Sequence, residues 1–233
     1  MPQREPLSPP LLAAACLLAA VPAAWLALAA DPLVSGAVGA LTGFGWPGLR
    51  LSPFFIPVAG QAWGGSHPPV LWTILLLSGP LGAALLGLGL HVLFEVVRSP
   101  AWLRVVGFEW AAFATLRVTA LLVAGVAAGG CGPVNELYQR LGEPQSGRWA
   151  VAILALLALW GAARLVAALA VAFGRDWMRI DGRPFRRRLV RIIAGYPTLG
   201  VLAAWSALMP WATPLWVGAW LLLTLGAMQL LTV

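Results

Sequence analysis

From Val70 to Val97 the chain carries one histidine and one glutamate as its only ionisable side chains, and from Trp149 to Phe173 a single arginine. A helix crosses the hydrocarbon core of a bilayer in about 20 residues, and both runs meet or exceed that length. Strands of a membrane β-barrel would alternate apolar and polar residues, and these runs do not. Of 233 residues 61% are hydrophobic and 10% charged, against roughly 25% charged in an ordinary soluble domain. Mean hydropathy is +0.86. The sequence describes an all-α integral membrane protein with one polytopic domain over residues 1–233.

The apolar segments are Leu11–Ala30 running on toward Leu41, Val70–Val97, Phe108–Gly129, Arg148–Phe173, Leu189–Met209 and Pro214–Val233. They predict about six transmembrane helices, with a tail over 1–10, an interfacial segment over 44–69 and a basic loop over 174–188. Pro22, Pro32, Pro80 and Pro197 fall inside the spans, where a missing donor and a ring clash are expected to kink or interrupt a helix. The first run has Arg4 before it and "ALAAD" at its end, the layout of a cleavable signal peptide. Cleavage would leave five spans; the apolar continuation through Val38 favours retention.

All 15 basic residues are arginine, and the formal charge is +7. Six of them, Arg175, Arg179, Arg183, Arg186, Arg187 and Arg188, lie in "GRDWMRIDGRPFRRRL" between two apolar runs. Cytoplasmic loops concentrate positive charge, so this loop is expected in the cytoplasm against anionic lipid headgroups. Arg98 and Arg104, two spans earlier, fall on the same side. The Cys131–Gly147 connection, nearly balanced by Glu136, Arg140, Glu143 and Arg148, falls on the other, and Val233 is cytoplasmic. No basic face with interleaved aromatics lies outside the membrane flanks, which argues against nucleic acid as a partner. Cys16 sits in a span and Cys131 in a polar connection, at different depths and without metal-ligand spacing, so neither a disulfide nor a metal site is expected of them.

The stretch "GFGWPGLRLSPFFIPVAGQAWGGSHPP" is too apolar for a free loop and too broken for a helix. Either short extended pieces within "LRLSPFFIPVAG" lie at the membrane surface, or an interfacial coil is anchored by Trp46, Phe54, Phe55 and Trp63. His67 is expected at the interface. Small residues spaced as Ser35-Gly39-Gly43 and Gly125-Gly129 allow close helix approach.

Ionisable groups inside spans are costly unless paired, hydrated or snorkelled. Here they are His91, Glu95, Glu109, Arg117 and Arg164, placed by the segment limits toward the cytoplasmic third of the second, third and fourth spans. His91 and Glu95 share a helical face at i, i+4. One arrangement is a metal site from His91, Glu95 and Glu109. The other, which fits better, is a set of carboxylate–arginine pairs locking three helices, with His91 hydrogen-bonded nearby; one histidine and two carboxylates make a weak zinc set. The chain has no Gly-x-Ser-x-Gly, His-Glu-x-x-His, P-loop or haem-attachment motif.

The succession "GALTGFG", "LRLSPFFIPVAG", "LLSGPLGAALLGLGL" from Leu76 to Leu90, and "PVNELYQRLGEPQSGRW" resembles the site-2 protease family of intramembrane zinc metalloproteases. The likeness runs from about Leu26 to Phe173, mostly in hydrophobic pattern and small-residue placement. It sets Asp31-Pro32-Leu33-Val34-Ser35 where the family carries His-Glu-x-x-His, and Ser146 where it carries its third ligand, an aspartate. A zinc peptidase needs two imidazoles, a carboxylate base and a third protein ligand. Asp31 offers one oxygen, Pro32 no base, and Ser35 and Ser146 are poor ligands. The resemblance therefore implies a pseudo-protease without metal or cofactor, with Asp31 unpaired, acting as a scaffold that holds other transmembrane helices in a complex. Two further readings stay open. One is a membrane metalloenzyme using His91, Glu95 and Glu109. The other is an accessory subunit of a redox, photosynthetic or transport complex, whose 13 tryptophans would contact lipid, pigment or neighbouring helices; aromatic belts account for those tryptophans more simply.

Overall fold

The computed structural model describes residues 9–51, 57–59, 65–127, 137, 145–175, 182–207 and 214–231. Helix α1 spans Pro9–Thr42 and runs without a break through both Pro22 and Pro32. The expected interruption at Asp31-Pro32 is absent. Leu28, Ala30 and Pro32 are buried, and packing against neighbouring helices outweighs the lost backbone bond. α1 ends in a Schellman turn, with Gly43 at φ 87° and the Phe44 amide donating to Gly39 O at 2.8 Å. The chain then folds back so that the Trp46 ring lies against Gly36.

Strands β1, Leu49–Leu51, and β2, Pro57–Ala59, form an antiparallel pair with Leu49 opposite Ala59 and Leu51 opposite Pro57. Of the two expectations for this stretch, short extended pieces are the one observed. Helix α2, Pro69–Val96, opens on a proline at its first position, where no backbone donor is needed, and passes through Pro80. α3 covers Ala101–Ala127 and α4 Gln145–Arg175. The expected single span over Leu189–Met209 is instead built in three parts: a short helix α5, Arg183–Val190, a π-helical turn at Arg191–Gly195, and α6, Tyr196–Ala207. Pro197 stands in the first turn of α6, so the π register change falls just before the residue that cannot donate. α7 covers Pro214–Leu231.

α1, α2 and α3 pack on one another, α4 packs on α3, and α7 packs on α4. α3 is central: two thirds (67%) of its apolar stretch is buried, against 33% for α2 and α4. Its Phe108, Phe113 and Leu116 meet Leu12 and Cys16 of α1, Val166 and Phe173 of α4, Ile193 of the π turn and Met228 of α7 in the main core. Glycines let the helices close up. A Cβ at Gly82 would stand 2.5 Å from Val34 Cγ1, and one at Gly87 2.8 Å from Trp110 Cδ1.

Among the described residues four helices are long and apolar enough to cross a membrane, over Pro10–Thr42, Pro69–Val96, Ala101–Leu122 and Ile153–Arg175. Leu137 packs with Trp72, Leu75 and Leu76 at the start of α2. The end of α4 meets α5, where Leu189 lies against Gly174.

Candidate functional site

Asp31 is paired, contrary to expectation. Its Oδ2 lies 2.5 Å from Arg117 Nη2, and the two side chains are only 18% and 10% exposed. The pair joins α1 to α3, while α2 closes the third side: Gly79 sits so near that a Cβ there would overlap Asp31 Oδ1. One turn on, the Ser35 hydroxyl donates to Asp31 O at 3.0 Å and Pro32 O at 3.4 Å, within its own helix. The Asp31, Pro32 and Ser35 positions thus form a helix junction. Ser146 lies in the first turn of α4.

Arg117 lies on α3, which begins at Ala101 rather than the expected Phe108. It stands about 24 Å along the helix at 1.5 Å per residue. The other polar residues fall elsewhere. Glu95 and Arg104 form a two-point clasp across the short α2–α3 turn: Arg104 Nε donates to Oε1 at 2.8 Å, and Nη2 contacts Oε2. Such forked pairs fix geometry as well as charge.

Glu109 is fully buried. Thr198 Oγ1 of α6 donates to its Oε2 at 2.9 Å, while among the described residues its Oε1 meets no hydrogen-bond partner. This node connects α3 and α6. His91 is also buried, among aromatic rings, with Phe108 at 5.9 Å and Phe173 at 6.5 Å between centroids. Among the described residues its Nδ1 meets no hydrogen-bond partner, where a bond was expected. Among the described residues no three His, Cys, Asp or Glu side chains gather in a way that could hold a metal ion.

Arg164 departs furthest from expectation. It is exposed on the outer face of α4 and takes no part in the ion pairs of Asp31 and Glu95. The expected five-residue cluster is therefore two separate ion pairs and one carboxyl–threonine hydrogen bond, all reaching α3, with one aromatic-packed histidine and one outward arginine. In the basic segment, Arg175 and Arg188 are exposed, Arg186 and Arg187 half-buried, and Arg179 and the Arg183 side chain lie outside what is described.

At the other end of the bundle, Phe44 lies 3.8 Å from the His67 ring and 4.6 Å from Trp72, centroid to centroid. These contacts pin the Gly-Phe-Gly turn to the start of α2. No protein-family model, curated protein or solved structure matches the chain. Thr198 and Gly79 were not legible as site residues: a threonine and a glycine in apolar runs carry no signal until the helices are brought together.

Proposed function

We propose that this chain is a multi-pass membrane protein with the layout of a site-2 protease that has no zinc chemistry and works as a scaffold for other transmembrane helices. The observation that carries this reading is the 2.5 Å Asp31–Arg117 pair. At the positions where the family holds its metal, the acid is neutralised by an arginine, Ser35 is turned onto its own helix, and proline replaces the base. Buried ion pairs of this kind define which helices neighbour which. The four long apolar helices cross the bilayer, and α5–α6 and α7 supply two further spans. The basic segment and Arg98 face the cytoplasm, where anionic headgroups balance them.

Photocrosslinking residues at Leu85 and Ile153, both outward apolar positions, test the scaffold role in native membranes. Discrete protein adducts at defined positions are expected. Adducts to lipid alone at every position would overturn it.

A further inference from the structure

The apolar stretch of α4 is Ile153–Arg175, and Arg164 stands at its midpoint, eleven residues, or about 16 Å, from either end. Long side chains snorkel to the interface from near helix ends, and charges deeper than that face the protein interior, a watered cavity or an opposite charge. Arg164 faces outward. Neighbouring Ala163 and Val166 are buried in the core, whereas Leu157 and Trp160 are exposed beside Arg164. Among the described residues no ion pair or hydrogen bond engages it. The same face carries Gly161, with nothing within 4 Å of a Cβ placed there, and Ala168 seven residues on, also exposed. Small residues at such spacing admit a second helix at close range.

We propose that this face of α4 docks a transmembrane helix of another protein that carries an aspartate or glutamate at mid-membrane depth. The planar guanidinium and a carboxylate make two parallel hydrogen bonds, and charge complementarity selects the occupant. A second copy of the chain is a poor one: a two-fold α4–α4 contact sets the two Arg164 side chains against each other. The chain's own span acids are engaged too, Asp31 by Arg117, Glu95 by Arg104 and Glu109 by Thr198.

The inference rests on the membrane-scaffold reading and names its partner's chemistry. The test uses the full chain in phosphatidylcholine bilayers, with energy transfer to a synthetic single-span Leu/Ala helix bearing Asp, or Leu, at its centre. The Asp helix is expected to bind about tenfold more tightly than the Leu helix, equivalent to about 1.4 kcal/mol. Arg164→Leu is expected to abolish that preference and Arg164→Lys to keep part of it. Because Arg164 is exposed, these replacements leave the bundle packing in place. Equal binding of both helices, or a preference that survives Arg164→Leu, overturns the inference and leaves the membrane reading standing. Self-association of the chain that Arg164→Leu removes would assign the face to a second copy and overturn it as well. A chain that alkaline carbonate strips from the bilayer overturns both.

Discussion

Asp31 and Arg117 hold opposite charges between α1 and α3, each mostly withdrawn from its surroundings. Removing one partner leaves the other charge uncompensated, which is worse than replacing both. Asp31→Leu or Arg117→Leu alone is expected to destabilise the detergent-solubilised protein by about 2–4 kcal/mol, allowing for the partial exposure, and the double replacement by less than the sum of the two. Reversible unfolding of the four proteins of this cycle measures the coupling; additive losses would show that the pair contributes nothing. Gly79→Ala reaches the same junction from α2. Its methyl would overlap Asp31 Oδ1, so a loss of about 1–3 kcal/mol is expected, as for other overpacked cores. In an Asp31→Ala background the loss is expected to shrink. That Asp31 is unusual was legible from the sequence, because an acid and a proline interrupt an apolar run. That Arg117 answers it was not, since the match depends on where α3 begins and how two helices face each other.

At the scale of elements, the long spans were legible because unbroken apolarity over a membrane's thickness admits few other structures. At Pro22, Pro32 and Pro80 the helices continue without a break, whereas Pro197 stands beside the π turn. Arg164 could not be oriented from the sequence. Between Trp149 and Phe173 α4 is apolar apart from this residue, so its periodicity carries no rotational information, and only the packed bundle shows which way the arginine points. The turn after α1 was legible in its glycines. Gly43 adopts φ 87°, a conformation that costs an L-residue roughly 1–2 kcal/mol. Gly43→Ala is expected to destabilise by about that amount and to loosen the Phe44–His67–Trp72 contacts. Tryptophan fluorescence and thermal unfolding in detergent check it; an unchanged melting temperature would contradict the capping role.

The whole molecule presents large apolar side chains around its circumference, among them Leu18, Leu85 and Leu222. A patch of that extent in water would drive association, whereas a bilayer covers it. With Cys131 replaced by serine and Cys16 buried, single cysteines at Ser99 and Arg188 are expected to react with an impermeant thiol reagent from one side of the membrane, and one at Ser66 from the other. Labelling of all three from a single side would contradict the arrangement of spans. An Asp31 position that joins helices rather than holding zinc is tested most directly by the zinc content of the full chain purified from membranes in nonionic detergent without chelators. Zinc far below one ion per chain and unchanged by Asp31→Asn is expected; about one ion per chain, lost in Asp31→Asn, would overturn the helix-joining role.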